Sequence, residues 1–406
     1  IVRKHLFVVF ILIFNAFIWH YMTPMMINRV LNDLNVTYSQ NFTIWASHYL
    51  AITISCIFGS LLSNKIGRLN FLYLWVILGI VTSPLFALLS NLTVTNVLII
   101  SSILGISFGL GLPSCLAYFA DHTLVENRGR ISGIILLTTN LSAPLFVILF
   151  GMFNLIVDSI IFTAWRAFGL IVFFSKPEEK FASEKKNLAS FISILHDKSF
   201  ILYFIAWLMF CFIDRLEKPI VKYSSGDFYY SLVMIEPIIG SVFAFIAGLI
   251  SDWVGRKRVV LYGFVTLGIA YAIIGIAPSA SVSWYFYLAI DSIAGGMLWV
   301  LFILIIWGDL SQHGTREKYY ALGAIPYLLT DIVRLLSAPY VMLIQETSAF
   351  SLASFFLFLA ILPLLYAPET LPERKIELRQ LRKYVKAAKE AQQRHAERAT
   401  KQQRLS

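Results

Sequence analysis

Twelve apolar runs divide this chain, and a run of about 20 residues matches the ~30 Å hydrocarbon core of a bilayer as one helix. They fall near 5–27, 45–63, 70–90, 97–119, 131–152 and 155–174, then near 199–220, 228–250, 259–278, 283–307, 320–344 and 349–367. The spacing predicts an all-α integral membrane protein of six helices, a linker and six more. A first six-helix bundle occupies 1–175, a linker 176–198, a second bundle 199–368 and a basic tail 369–406. The first run lacks a small-residue cleavage site and is long enough to span, so it reads as a retained helix. In the linker, Phe181, Leu188, Phe191, Ile194 and Leu195 predict a short amphipathic surface helix.

Composition agrees with this class. The chain is 58% hydrophobic and 14% charged, with mean hydropathy +0.74, whereas a soluble domain is about a quarter charged. The net charge of +10 does not indicate nucleic-acid binding, because from Glu369 onward eleven Lys/Arg face five Glu, which accounts for six of the excess charges. The remaining cations sit between runs. Arg3/Lys4, Lys65/Arg68, Arg128/Arg130, the linker, Arg256–Arg258, Arg316/Lys318 and the tail fall on one face, which the positive-inside rule makes cytoplasmic. Both termini are then cytoplasmic. Only the segments near Arg29 and 215–222, read as loops, break the pattern. Cys56, Cys115 and Cys211 lie far apart in apolar runs and read as small buried hydrophobes.

A loop repeats. Gly248-Leu-Ile-Ser-Asp252-Trp-Val-Gly255-Arg256-Lys257-Arg258 follows the eighth run, and Ser60-Leu-Leu-Ser-Asn64-Lys65-Ile66-Gly67-Arg68 follows the second, at a constant offset of 188 residues. The same offset relates Asp121 to Asp309 and Arg128 to Arg316. Equal spacing marks an internal repeat.

This pair of loops resembles the signature of the major facilitator superfamily, Gly-x-x-x-Asp-(Arg/Lys)-x-Gly-Arg-(Arg/Lys). The second copy fits at Gly248, Asp252, Gly255, Arg256 and Lys257, with Trp253 in place of a cation. The first has Asn64 where the acid is expected and Ser60 where the glycine is. The resemblance implies two pseudo-symmetric six-helix bundles and a cytoplasmic charge network that closes when the transporter faces outward. In such a gate Asp252, Gly255, Arg256, Asp309 and Arg316 serve the second half, and Gly67, Arg68, Asp121, Arg128 and Arg130 the first. The plainer reading of these charges is a solvated inner face. Pro368-Glu369-Thr370 after the last run, and Pro177-Glu178 after the sixth, resemble the ends of sugar and organic-ion porters.

A transporter of this kind needs a solute site between its halves, and ionisable residues inside spans are costly enough to be the default candidates. Glu236, Asp291, Asp331 and Arg334 qualify in the second half, and Asn15, Asn140 and Arg166 in the first, with His20, His48, Ser114 and Thr139 beside them. A desolvated Glu236 or Asp331 can carry a proton, with Arg334 stabilising the ionised form or binding an anion. Alternatively Asp331 and Arg334, at i and i+3, simply neutralise each other. Trp207 and Trp299 are the aromatic candidates for stacking on a solute, while Trp19, Trp45 and Trp284 fit interfacial roles.

No phosphate-cradling glycine loop, Gly-x-Ser-x-Gly or His-Glu-x-x-His motif occurs, and Gly105-Ile-Ser-Phe-Gly109-Leu-Gly111 inside a run indicates close helix packing. The expectation is a monomeric secondary transporter of the plasma membrane, without a cofactor, that moves a sugar, organic ion or similar small solute by alternating access with protons in symport. A drug-type proton antiporter, a facilitative uniporter and a non-transporting sensor are the competing readings.

Overall fold

The computed structural model describes residues 2–91, 93–174, 189–312 and 314–371. Among these, twelve helices are long and apolar enough to cross a membrane: α1 His5–Asp33, α2 Tyr38–Ile66, α3 Arg68–Leu89, α4 Val94–His122, α5 Val125–Gly151, α6 Leu155–Phe173, α7 Lys198–Ser224, α8 Phe228–Val254, α9 Arg256–Ile276, α10 Ser281–Leu310, α11 Arg316–Tyr340 and α12 Glu346–Tyr366. No strand occurs among the described residues. Side chains such as Phe58, Val81, Ile171 and Tyr366 remain exposed on the outside of the bundle, as lipid-facing positions require.

Several helices run past the apolar stretches that announce them, because their ends are capped by polar groups. Thr37 and Gln40 form a capping box ahead of α2: the Gln40 N–H donates to Thr37 Oγ1 at 3.3 Å and the Thr37 N–H to Gln40 Oε1 at 2.9 Å. This carries α2 back to Tyr38. The cations that break the charge pattern are explained in the same way. Arg29 lies inside α1, where it donates to Asp158 Oδ2 at 3.1 Å and to the carbonyls of Phe150 and Phe153. Residues 215–222 belong to α7 and are not a loop. Asp158 itself is buried and paired. Trp19 is likewise core, stacked on Phe108 and Phe162.

The repeat is visible in the backbone. Gly67 and Gly255 join α2 to α3 and α8 to α9 with φ of 92° and 105°, a region open to glycine at little cost. The two halves meet along α2 against α11 and α5 against α8, contacts exchanged by the 188-residue offset. Within the first half α2 packs closely on α4: a Cβ at Gly109 would collide with the Ile52 carbonyl and the Ser55 hydroxyl. In α10 a π turn, Leu301–Ile305, interrupts the α-helical ladder, and the Tyr320 hydroxyl donates to its Leu304 carbonyl at 2.7 Å. Phe191–Leu195 forms a short helix capped by Ser190, with Ile194 buried. Phe181, Leu188 and the tail from 372 lie outside the described residues.

The chain leaves α12 along the α9 N-terminus. The Glu369 carboxylate accepts from the backbone N–H groups of Arg256 at 2.7 Å and Lys257 at 3.2 Å, satisfying donors that the helix itself cannot. The Tyr203 hydroxyl holds the Pro368 carbonyl at 2.8 Å. Glu369, Gly67 and Gly255 all mark one face of the bundle, which is also its cation-rich face.

Candidate functional site: a central cavity sealed on one face

On the cation-rich face the loop residues of both halves converge. Arg256 is fully buried and uses nearly every donor: Nη1 to Asp252 Oδ1 at 2.7 Å and to Ser251 Oγ at 3.0 Å, Nε to Asp309 Oδ2 at 3.2 Å, and Nη2 to the Val125 carbonyl at 2.7 Å. Asp252 also accepts the backbone N–H groups of Gly129 at 2.8 Å and Arg130 at 2.9 Å, so its carboxylate sits against the second turn of α5. The Arg130 side chain is half-exposed, with Nε 3.9 Å from Asp252. Arg128 is buried, bonds Asp309 across the interface, and is steadied by the Ala120 carbonyl and the Thr123 hydroxyl. Its repeat partner Arg316 bonds Asp121 in the same crosswise manner.

Arg68 completes the layer. It pairs with Asp121 in its own half and donates Nε to Glu317 Oε1, at 2.6 Å, in the other. All ten residues named from the sequence therefore lie in one layer, and Glu317 is an eleventh that sequence reasoning missed. Its signal was the register: Glu317 stands 188 residues after Gly129, the residue whose N–H Asp252 binds.

Behind this layer α5 and α8 touch backbone to backbone. A Cβ on Gly129 would overlap the Gly248 carbonyl, and one on Gly133 would press on Phe245. The glycines let the charged groups come within hydrogen-bonding distance, and the ion pairs seal the interface on this face.

Above the seal lies a cavity of about 340 Å³ between the halves. The first half gives it a mostly apolar wall that includes Phe17, Tyr21, Phe108 and Leu112, with Thr139, Asn140 and a His20 ring stacked on Phe108. The second half supplies the charges: Asp214, Arg215 and Lys218 from α7, Glu236 from α8 and Asp291 from α10, beside Trp299 and Tyr327. Asp291 precedes Asp309 by eighteen residues on α10, which at about 1.5 Å per residue places it about 27 Å from the sealed layer. The acids thus sit well inside the spans, toward the opposite face.

Arg215 is held on all sides. It lies 3.6 Å from Asp214 and 3.7 Å from Asp331, with its guanidinium 4.8 Å from the Tyr327 ring centroid and 5.7 Å from that of Trp299. Asp331 is shared with Arg334 at 3.0 Å, so the expected Asp331–Arg334 pair exists but forms part of a structural network behind the cavity wall. Lys218 reaches Asp214 at 3.9 Å. Glu217, which the sequence reading passed over, is buried with its carboxylate accepting from the Tyr287 hydroxyl at 2.8 Å.

Besides Asp331 and Arg334, three more expected cavity residues face elsewhere. Arg166 is buried inside the first half, its guanidinium 4.4 Å from the Trp75 centroid and 5.7 Å from that of Trp19, and it donates to Asn15 Oδ1 at 2.9 Å. Asn15 in turn donates to the Trp165 carbonyl. Trp207 is packed between Phe210 and Phe302 with its indole N–H on the Gly323 carbonyl at 2.8 Å, away from the cavity surface that Trp299 lines. Helix rotation, not residue type, decides these placements. His48 lies within the core and donates its Nδ1–H to the Ser101 carbonyl oxygen at 2.7 Å.

Twelve spanning helices related by an internal repeat, sealed on one face and hollow between the halves, define a membrane transporter and not an enzyme. The sequence profile described as Major Facilitator Superfamily matches residues 7–216, just over half of the chain, and the protein belongs to that superfamily. A search of curated proteins finds no match. Among solved structures, that of the proton:xylose symporter XylE bound to 6-bromo-6-deoxy-D-glucose superposes with a TM-score of 0.71 at 16% identity, over 91% of this chain and 96% of that one. The human organic anion transporter MFSD10 (TETRAN) gives a TM-score of 0.66 at 14% identity, over 89% of this chain and 99% of that one. At such identities the likeness is one of fold.

Proposed function

We propose that the chain is a proton-coupled symporter of a small polar or organic solute, working by alternating access as a monomer in the plasma membrane. The two bundles, 1–175 and 199–368, rock about the central cavity, and the cation-rich face with both termini is cytoplasmic. The ion-paired layer of Arg68, Asp121, Arg128, Asp252, Arg256, Asp309, Arg316 and Glu317 is the gate that holds the outward-facing state. The observation that carries the reading is Glu236: a carboxyl in the cavity wall, inside a span, with no ion pair among the described residues. Such a group can take up and release a proton as the cavity changes its exposure. Asp331, which Arg215 and Arg334 both neutralise, is a structural acid in this scheme.

Proteoliposome flux of a labelled solute panel, with and without an imposed proton gradient, tests this reading. Gradient-driven accumulation in wild type that Glu236→Gln abolishes is the expected result. Equal downhill flux in both proteins, indifferent to the gradient, leaves a uniporter and overturns the coupling role.

A further inference from the structure

The cavity carries a charge imbalance that no side chain around it corrects. Helices α7, α8, α10 and α11 bring five carboxyls to the region, Asp214, Glu217, Glu236, Asp291 and Asp331, against three cations, Arg215, Lys218 and Arg334. The cations are all committed: Arg215 to Asp214 and Asp331, Lys218 to Asp214, Arg334 to Asp331. Glu217 has the Tyr287 hydroxyl. Among the described residues, neither Asp291 nor Glu236 has a cation within ion-pairing distance or a hydrogen-bond donor. Asp291 is nevertheless 8% exposed and lines the cavity.

We propose that the transported solute is an organic cation, a protonated amine or quaternary ammonium, whose charged centre is held by Asp291. This inference rests on the central cavity being the transport site. A buried, unpaired carboxylate is costly unless a counter-charge arrives. A neutral solute leaves the imbalance in place, and an anionic one deepens it. One proton on Glu236 and one ammonium at Asp291 remove it entirely, which gives the two acids separate tasks in one cycle.

The rest of the wall suits such a guest. Trp299, Tyr327, Tyr21 and Phe108 line the same space, and aromatic rings attract ammonium groups while packing on their alkyl arms. A metal ion fits poorly: the described residues contain no group of three His, Cys, Asp or Glu side chains placed to ligate one. The volume of about 340 Å³ lies in the roughly 300–1,000 Å³ range of small-molecule sites.

The test uses the full chain, with tetraethylammonium as the cation probe and glucose and succinate as neutral and anionic probes. Binding is read by calorimetry in nanodiscs and uptake in proteoliposomes. Tetraethylammonium binds and accumulates in wild type. Asp291→Asn, isosteric and uncharged, weakens its binding about tenfold or more, while Asp291→Glu retains part of it. An unchanged thermal midpoint shows that both variants fold. Equal tetraethylammonium affinity in wild type and Asp291→Asn overturns the assignment. So does uptake of glucose or succinate without cation binding, and that result leaves the transporter reading intact. Cation binding that depends on Asp291, with no flux of any probe, upholds the site and removes transport instead.

Discussion

Arg68 and Glu317 form an ion pair between the two halves at a point where a strict repeat would keep the pair inside one half. In the second half Arg256 bonds Asp252, four residues before it. At the equivalent place in the first half stands Asn64, whose amide donates only to the Ser60 carbonyl of its own helix, at 3.1 Å. The carboxylate that Arg68 lacks there is supplied by Glu317 from α11. The acid has moved across the interface, so this pair exists only while the gate is shut.

Glu317→Gln is therefore expected to favour the open gate by about 1.5–3 kcal/mol, the usual worth of a hydrogen bond to a charged group. A Ser63→Cys reporter, in a background without Cys56, Cys115 and Cys211, should react at least about tenfold faster with an impermeant maleimide applied from the cation-rich face. Adding Asn64→Asp, whose pair with Arg68 lies inside one half and survives opening, should not return the protection. Labelling unchanged by Glu317→Gln would show that the pair does not hold the gate.

Arg256 should tolerate no replacement. Lysine keeps the charge but cannot serve Asp252, Asp309 and the Val125 carbonyl at once. Arg256→Ala leaves two buried carboxylates of the second half short of a partner whether the halves are together or apart, and should cost about 3–5 kcal/mol of overall stability, with Arg256→Lys in between. Melting curves rank the three proteins, and a lysine variant indistinguishable from wild type would contradict the geometry.

Gly248→Ala adds a methyl where the Gly129 carbonyl already sits. Overpacking of this kind costs about 1–3 kcal/mol, and here it falls on the closed state alone. Distances between spin labels on α5 and α8 should lengthen at the cation-rich face. Unchanged distances would mean that the backbones yield without parting.

Asp331→Asn and Glu236→Gln should separate in thermal stability. The first leaves Arg215 and Arg334 under-paired in the protein interior and is expected to cost about 3–5 kcal/mol. The second removes a carboxyl with no ion pair and should cost under about 1 kcal/mol. Melting curves in one detergent decide the matter, and equal losses would mean that Glu236 is as structural as Asp331.

The spans, the repeat and the ion-paired layer were legible because each is written locally. Apolar length marks a span, and two loops at one offset mark the layer. What lay across the interface was hidden. Glu317 carried no motif of its own, and Arg215 and Lys218 looked like displaced loop charges until α7 was seen to continue through them. Arg166, Asn15 and Trp207 had the right residue types at the right depth, but their helix faces turn into the core of each half. The expected helix starts near 45 and 131 were late by several residues, because polar residues begin both helices ahead of their apolar stretches, with the Thr37–Gln40 capping box ahead of α2.

Arg256 is gripped from two directions. Glu369 fixes its backbone N–H, and Asp252 and Asp309 fix its side chain, all from the second half. Only the bond to the Val125 carbonyl belongs to the other half. The arginine must therefore travel with α9 when the halves separate, and the parting line of the gate runs between its guanidinium and the first turn of α5. A seam drawn there breaks a bond to a neutral carbonyl and spares three to carboxylates, so opening takes no carboxylate from Arg256, and the charges that must find new partners are those of the crossing pairs Arg68–Glu317, Arg128–Asp309 and Arg316–Asp121.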